Sequence, residues 1–227
     1  MKNLVVLTGA GVSAESGIST FRDSGGLWEG HDVMEVASPQ GFAANPELVL
    51  NFYNLRRAQL KEVEPNLAHH CIAGMERNFN VHVITQNVDD LHERAGSSNI
   101  LHLHGELRKV RSSKNYHDQL HWKNDLHLGD LCEAGSQLRP HIVWFGEEVP
   151  AMEQAIEITA KADVLLIVGT SLQVYPAAGL KDYAPDHCPI YFVDPHPSLE
   201  SNGRLKVFAE NASTGVQKVA DLLNMEF

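Results

Sequence analysis

Residues 4–17 read Leu-Val-Val-Leu-Thr-Gly-Ala-Gly-Val-Ser-Ala-Glu-Ser-Gly, and this stretch decides the fold. The apolar run at 4–7 is typical of a strand buried on both faces, and a G-x-G-x-x-A turn follows it at 9–14. Glycines at such a strand-to-helix turn let the backbone approach a pyrophosphate. We therefore predict a dinucleotide-binding turn, with a tight turn that holds no ligand as the alternative. The predicted contacts are Gly9, Ala10, Gly11, Ser13, Ala14 and Gly17.

The rest of the chain alternates between apolar runs and helical stretches. The further runs rich in β-branched residues are 81–84, 142–144, 164–168 and 190–193. The helical stretches are 46–63, 66–77, 152–161 and 215–223. This alternation predicts an α/β fold, a Rossmann-like doubly wound parallel sheet whose strands are buried on both faces.

The length of 227 residues favours a single domain, 1–227, with one main core. Two segments do not fit the alternation: one is a long helical excursion, and the other is polar and rich in histidine. We expect them to form a small inserted lobe. The predicted Rossmann-like core is 1–29, 81–108 and 139–227, and the predicted small lobe is 30–80 and 109–138.

Charge and cysteine content limit the classes of binding partner and the cellular compartment that fit this sequence. The 18 basic and 29 acidic side chains give a net charge of −11, which argues against nucleic acid or an anionic membrane as a partner. A basic peptide partner fits this charge, as does simple solubility. Cys71, Cys132 and Cys188 are too few and too scattered for a disulfide framework, and the N-terminus resembles neither a signal peptide nor a membrane span. We predict a cytoplasmic protein, for which a monomer is the simplest assembly.

The segment after the glycine turn differs in sequence from the corresponding segment of an ordinary dehydrogenase. A dehydrogenase would continue into a second strand that ends in an acidic residue, about twenty positions on, for the ribose hydroxyls. Residues 16–28 instead read Ser-Gly-Ile-Ser-Thr-Phe-Arg-Asp-Ser-Gly-Gly-Leu-Trp. A polar loop of this kind is suited to close over a bound cofactor, which simple hydride transfer does not require.

Three polar clusters directly follow apolar runs, where strands of such a sheet end and ligands bind. They are Thr-Gln-Asn-Val-Asp at 85–89, Leu-His-Gly-Glu at 103–106 and Gly-Thr-Ser at 169–171. Taken singly, each is as readily a helix cap or a satisfied core histidine. Together with Arg-Pro-His-Ile-Val-Trp-Phe-Gly-Glu at 139–147, they closely resemble the sirtuin family of NAD-dependent protein lysine deacylases. The resemblance extends from Gly9 to the C-terminal helix.

The resemblance implies a reaction in which NAD is consumed. The amide oxygen of an acyl-lysine protein or peptide would attack C1′ of the nicotinamide ribose, and the products would be free lysine, nicotinamide and O-acyl-ADP-ribose. His104 matches the general base on the ribose hydroxyls, a role that suits imidazole. Asn87 and Asp89 match the other catalytic positions. Phe21 would shield the reacting carbon from water.

The resemblance also implies the remaining contacts. The positions that match cofactor contacts are Thr20, Phe21, Arg22, Trp28, Gln86, Asn87, Val88, Asp89, Gly169, Thr170, Ser171, Asp194 and Ala212. Many relatives carry asparagine where this chain has Asp194, and an aspartate accepts ribose hydroxyls as well. Val143, Phe145 and Gly146 match the segment against which the substrate peptide lies as an added strand.

Two residues on one predicted helix bear on the acyl group. Tyr53 and Arg56 lie three apart and therefore on one face. Spacing alone favours a core aromatic and a surface charge. The branch of sirtuins that removes negatively charged acyl groups carries this pair, because a guanidinium and a phenol can bind a terminal carboxylate. Ala37 matches a small residue that lines the acyl tunnel, so we predict desuccinylation and demalonylation, with acetyl also accepted.

Sirtuins usually hold the small lobe together with four cysteines on a structural zinc. In this chain the two C-x-x-C pairs align with Ser112 and Asn115, and with Leu131 and Ala134. None of these side chains can be a thiolate ligand, so we predict no structural zinc.

A rebuilt zinc site is the alternative. It would use His117, His121 and His127 with Cys132, with the first two histidines sharing a helix face. Without metal the lobe must be held by packing. The apolar candidates for that packing are Tyr116, Leu120, Trp122, Leu126 and Leu128.

Other functions remain open on sequence. A plain deacetylase or a mono-ADP-ribosyltransferase would use the same cofactor. A non-catalytic sensor of NAD or ADP-ribose is a third reading, but a sensor has no need to keep His104, Asn87 and Asp89 together.

Overall fold

The computed structural model describes residues 1–18, 27–28 and 30–226. The strands are β1 (Lys2–Thr8), β2 (Leu27–Trp28), β3 (His31–Asp32), β4 (Phe79–Thr85), β5 (Ile100–His102), β6 (Gly105–Ser112), β7 (Gln119–His121), β8 (Leu138–Ile142), β9 (Val164–Val168), β10 (Ile190–Val193) and β11 (Leu205–Phe208). The α-helices are α1 (Gly11–Ala14), α2 (Val33–Val36), α3 (Pro39–Ala44), α4 (Pro46–Gln59), α5 (Leu67–Gly74), α6 (Leu91–Ala95), α7 (Met152–Thr159) and α8 (Ala212–Glu226). Short 3₁₀ helices occupy Met75–Arg77 and Ala177–Tyr183.

The main sheet has six strands in the order β11-β10-β9-β1-β4-β5, and every neighbouring pair is parallel. Its centre is β1, where Leu4 pairs with Val81 on one side and with Val164 on the other. One face is covered by α5 and α8, and the other by α7 and the second 3₁₀ helix. Because both faces are buried, the strands are continuously apolar, and the predicted Rossmann-like doubly wound sheet is confirmed.

Local sequence explains where the main helices begin. The Asn45 side chain accepts a hydrogen bond from the Leu48 N–H, and Pro46 occupies the first turn of α4, where no N–H is needed. The Asn66 side chain caps α5 in the same way, by accepting from the Ala68 N–H. Both starts therefore follow from local chemistry.

The turn after β1 is in backbone contact with the turn after β9. The Gly9 N–H donates to the Val168 carbonyl at 3.0 Å, and the Gly11 N–H donates to the Gly169 carbonyl at 2.8 Å. A Cβ on Gly169 would lie 2.3 Å from the Val12 nitrogen, and this glycine has a φ of +62°. The glycines are therefore needed for strand packing as well as for the approach of a ligand.

The small lobe is built around an antiparallel sheet of β7-β6-β8, with α2, α3 and α4 packed beside it. Asn54 on α4 forms two hydrogen bonds with the Leu126 backbone: its Nδ2 donates to the carbonyl at 3.1 Å, and its Oδ1 accepts from the N–H at 2.9 Å. The Arg57 guanidinium donates to Asn54 Oδ1 at 2.5 Å and to the Leu107 carbonyl at 2.9 Å. These buried bonds hold α4 to β6 and to the segment that contains Leu126.

Three expectations about the elements need correction. The run at 142–144 was predicted as a strand of the parallel sheet, but Ile142 ends β8 in the antiparallel sheet. Helix α5 was assigned to the small lobe through the range 30–80, but Ala68 and Ile72 pack into the core of the parallel sheet. Strand β6 begins at Gly105, so the small lobe starts before residue 109. Periodicity cannot assign a short apolar run to one of two sheets, because both environments are buried.

The predicted anchors of the lobe are only partly buried. Leu126 is buried, and Trp122 packs against a cluster formed by Leu50, Val110, Cys132 and Leu138. Leu120 and Leu128 are exposed. The apolar packing therefore comes mainly from the sheet and from α4.

The residues at the expected zinc position do not fit a zinc ion. Cys132 is buried, and its thiol donates to Ser112 Oγ at 3.5 Å, so a cysteine and a serine meet at the position where the resemblance predicts the zinc of other family members. His121 lies on β7 and His117 precedes it in a turn, which excludes the shared helix face. In the described part of the chain, groups of three or more metal-ligand atoms come together only at Glu93, His102 and Glu106, far along the chain from Cys132. The shared helix face of the rebuilt site is thus contradicted, and the absence of a structural zinc stays a prediction.

Among the described residues, the helices are too short or too polar for any of them to span a membrane.

We expect Gly169→Ala to lower the free energy of unfolding by about 3 kcal/mol, because the new methyl group overlaps the Val12 backbone and the positive φ is strained. Urea denaturation measures this change. Gly74→Ala is the matched control, since Gly74 has a helical φ of −62° and nothing lies within 4 Å of its Cβ position. Equal losses for the two variants would contradict the role of the glycine contact.

We expect the purified protein to contain far less than one zinc per chain by elemental analysis, and a chelator to leave its melting temperature unchanged. Asn54→Ala should lower the free energy of unfolding by about 2 kcal/mol, because it removes the bonds to the buried N–H and carbonyl of Leu126 and the bond accepted from Arg57 Nη1. Stoichiometric zinc together with chelator-induced unfolding would overturn this account.

Candidate functional site

The predicted polar clusters meet at the carboxyl edge of the parallel sheet. The Gln86 N–H donates to the Thr8 carbonyl at 2.9 Å, and Gln86 Nε2 donates to Thr170 Oγ1 at 3.3 Å. Gln86 thereby connects the ends of β4, β1 and β9. In the strand order, β4 and β5 lie on one side of β1, and β9, β10 and β11 lie on the other. This edge therefore includes the point where the strand order reverses, at which doubly wound folds bind their ligands.

Ser13 is the centre of a buried hydrogen-bond network. Its Oγ accepts from Asn87 Nδ2 at 3.1 Å and donates to Asp89 Oδ2 at 3.0 Å. Asp89 Oδ1 also accepts from the Leu91 N–H at 3.2 Å. Burial raises the pKa of Asp89, and these two donors oppose that rise. The network fixes Asn87 and Asp89 against the helix that follows the glycine turn.

Two histidines, His69 and His92, pack against each other next to this network. His69 Nδ1 accepts from the Asn66 N–H at 3.3 Å, so Nε2 carries the proton and faces Ser13 Oγ at 3.4 Å. The His92 ring lies 4.8 Å from the His69 ring, and its Nε2 is 3.1 Å from Thr8 Oγ1. Burial lowers the pKa of His69 to about 4, so His69 is uncharged at neutral pH.

His104 has the geometry of an available base. Its Nδ1 donates to the Gln86 carbonyl at 3.0 Å, which leaves the Nε2 lone pair for a substrate proton. Burial lowers the pKa of His104, and the bond to Gln86 opposes that effect only in part. The imidazole is therefore neutral at pH 7. Gly105, which follows it, has a φ of +84° and approaches the His141 carbonyl too closely for any side chain.

His102 holds the adjacent carbonyl of the same loop. Its Nδ1 lies 3.0 Å from the Asn87 carbonyl, and its Nε2 lies 2.7 Å from Glu93 Oε1. Burial disfavours its charged form, but the contact with Glu93 outweighs burial and raises the pKa of His102. Glu106, also nearby, is paired with Lys109 at 2.5 Å. The two histidines, at the end of β5 and just beyond it, thus have pKa values shifted in opposite directions: the carboxylate of Glu93 raises that of His102, and burial lowers that of His104.

The predicted substrate segment borders the base. The Val143 N–H donates to the His104 carbonyl at 2.9 Å, and the Phe145 N–H donates to the Ala37 carbonyl at 2.9 Å. Phe145 and Gly146 are exposed, and Gly146 has a φ of +90°. The segment therefore joins the base in the large domain to the small lobe.

The predicted acyl-selective pair lies on α4. Tyr53 is fully buried in a cluster with Ala37, Phe52 and Trp144. The Arg56 guanidinium lies 5.0 Å from the Phe52 ring centroid, on the same side of the helix. The pair therefore stands at an apolar cluster that also contacts the predicted substrate segment.

Other predicted cofactor contacts also lie at the carboxyl edge. Asp194 follows β10 and accepts from the His196 N–H at 2.8 Å, and Ala212 begins α8 in the same cluster as Val12. Val88 accepts from the Leu107 N–H at 2.8 Å, which ties the catalytic loop to β6. The remaining residues in the turns after β1 and β9 are Ala10, Ala14, Gly17 and Ser171. Thr20, Phe21, Arg22 and the side chain of Trp28 lie outside the described residues.

Sequence reasoning missed the supporting residues. His69 and His92 lie within helices, and nothing in their spacing indicates that their rings meet beneath Ser13. His102 carried a usable signal, because it precedes His104 by two positions and so shares its side of an extended segment. Trp144 belongs to the motif at 139–147, but the motif does not predict its hydrogen bond to Tyr53.

Comparison with known proteins agrees with this geometry. The model of the Sir2 family matches residues 9–176, which is well over half of the chain. An NAD-dependent protein deacylase of Helicobacter pylori strain J99 is 62% identical over 195 residues, covering 86% of this chain and 83% of that protein. An NAD-dependent protein deacylase of Bacteroides thetaiotaomicron is 54% identical over 230 residues, covering 98% of each chain.

Solved structures are similar over nearly the full length. A Sir2 homologue carrying S24A, in complex with ADP-ribose, superposes with a TM-score of 0.88 at 38% identity, covering 99% of this chain and 93% of that chain. A Sir2 homolog–NAD complex gives a TM-score of 0.87 at 38% identity, covering 99% and 90%. The chain therefore belongs to the Sir2 family, and it is an NAD-dependent protein deacylase.

Proposed function

We propose that this enzyme removes acidic acyl groups, succinyl and malonyl, from protein lysines in preference to acetyl. The observation that carries the proposal is the placement of Tyr53 and Arg56 on one face of α4, beside the apolar cluster that contains Ala37. Burial raises the pKa of Tyr53, so its hydroxyl stays protonated and can donate to a carboxylate. An acetyl group offers neither residue a charged partner.

The cofactor contacts rest on the carboxyl edge. The glycine turn at 9–14 leads into the start of α1, whose positive dipole end favours a pyrophosphate, and Gly169 and Thr170 face the turn from the end of β9. When bound, NAD supplies the ribose carbon that accepts the acyl oxygen as nicotinamide leaves. His104 Nε2 is the atom that takes up a ribose hydroxyl proton, and Asn87 and Asp89 are held in place by Ser13. A peptide NAD+ complex, described as Sir2-p53 peptide-NAD+, is among the similar structures at 28% identity and a TM-score of 0.78, covering 98% of this chain and 93% of that chain.

Mono-ADP-ribosyl transfer is the second candidate within the same chemistry. It would use the same edge and the same base, but it would not need a cationic residue at the acyl pocket. The Arg56 guanidinium on α4 therefore favours deacylation of acidic acyl groups.

We expect His104→Ala to lower kcat/KM for nicotinamide release by about 100-fold or more, while NAD binding measured by calorimetry is retained. Because burial lowers the pKa of His104 below its usual 6.5, the wild-type rate should fall on the acid side only below pH 6.5. His187→Ala, an exposed imidazole, should behave as the parent. Retained turnover in His104→Ala would refute the assignment of the base.

We expect Arg56→Met to lower the ratio of desuccinylation to deacetylation kcat/KM by about 10- to 100-fold, because a charge-assisted hydrogen bond to the succinyl carboxylate is lost. The measurement compares succinyl-, malonyl- and acetyl-lysine forms of one peptide. Lys61→Met, which removes an exposed cation just beyond α4, should leave the ratio unchanged. An equal loss of kcat/KM on all three peptides would contradict the proposed preference for acidic acyl groups.

A further inference from the structure

Trp144 connects the predicted substrate segment to the proposed acyl site, which is the cluster around Ala37 and Tyr53. It lies between Val143 and Phe145 in sequence, yet it is 2% exposed while Phe145 is 43% exposed. Its indole Nε1–H donates to Tyr53 Oη at 2.9 Å, within the protein interior. The Tyr53 oxygen therefore acts as an acceptor in this bond, so its own hydrogen is directed away from the indole.

The ion pair between Arg139 and Glu147 contacts both the indole ring and the backbone of Trp144. The Arg139 guanidinium lies 3.3 Å from the indole centroid and forms two bonds with Glu147, at 2.6 Å and 3.0 Å. Glu147 Oε2 also accepts from the Trp144 backbone N–H at 2.8 Å. Arg111 adds a second guanidinium to the same carboxylate at 3.2 Å. The ring and the backbone of Trp144 are thus held by partners that also hold each other.

We propose that Trp144 is a specificity-determining positioning residue, which aims the Tyr53 hydroxyl at the carboxylate of an acidic acyl group. This inference rests on the proposed function. The indole N–H occupies one side of the phenol oxygen, so the hydroxyl hydrogen is set on another side before the substrate enters. Such preorganisation strengthens a hydrogen bond without adding a new contact. Acetyl-lysine has no carboxylate at this position, so the orientation of the Tyr53 hydrogen has little effect on it.

A purely structural role for Trp144 predicts a different result. Phenylalanine at this position keeps an aromatic ring beneath Arg139 and most of the apolar contact, and it removes only the N–H donor to Tyr53. If Trp144 served only to fill the core, its replacement would affect all acyl substrates alike. The ratio between acyl substrates therefore separates the two roles.

The test measures kcat and KM of Trp144→Phe on succinyl- and acetyl-lysine forms of one peptide. We expect the desuccinylation to deacetylation ratio of kcat/KM to fall about fivefold, mainly through KM for the succinyl peptide, because one neutral hydrogen bond is lost. Tyr53→Phe and the double variant complete a cycle. Since Trp144 acts through the Tyr53 hydroxyl, Trp144→Phe should not change the ratio further in the Tyr53→Phe background.

Two outcomes overturn the inference. One is an unchanged ratio in Trp144→Phe while Arg56→Met and Tyr53→Phe lower it, which leaves the proposed acyl preference intact. The other is a full additional loss in the double variant, which shows that Trp144 acts without Tyr53. If neither Arg56→Met nor Tyr53→Phe alters the ratio, the proposed preference itself fails, and this inference fails with it. Because each ratio is internal to one protein, a general loss of folded enzyme does not affect it.

Discussion

The rest of the structure depends on the contact between the turn after β1 and the turn after β9. Gly11 and Gly169 meet backbone to backbone, at a separation that excludes any side chain. This contact brings the ends of the central strands to one level, at the edge of the sheet where doubly wound folds bind a dinucleotide. Gln86 extends the same edge to β4 through its bonds to Thr8 and Thr170. A ligand site and a packing constraint are therefore satisfied by the same glycines.

From that edge, polar groups are positioned by layers of hydrogen bonds. Ser13 receives one bond from Asn87 and gives one to Asp89, and His69 faces it from below. His102 and His104 bond to the successive carbonyls of Asn87 and Gln86, but among the described residues only His102 has a carboxylate partner. The environment, not the residue type, thus shifts the pKa values of the two imidazoles in opposite directions and leaves His104 as the group that can accept a proton.

The small lobe is held to α4 by buried side-chain hydrogen bonds and by apolar packing. Asn54 and Arg57 on α4 bond to the backbone of Leu126 and Leu107, so one helix holds two distant segments. The same helix carries Tyr53 toward Trp144 and the segment at 143–146. One helix therefore both holds the small lobe together and contributes Tyr53 to the buried cluster with Trp144.

The sequence alone determined the class of the fold and the principal polar clusters. Strands buried on both faces are continuously apolar, and a glycine turn has a recognisable spacing, so β1, β9 and β10 were predictable from local pattern. The run at 142–144 was placed in the wrong sheet, because burial is the same in both sheets and sequence does not encode which strand is its neighbour. The sequence also did not predict the hydrogen-bond and ring partners of Ser13, Tyr53 and Arg139. Side chains 56 and 91 positions apart meet only when helices pack on the sheet, and that geometry belongs to the tertiary structure.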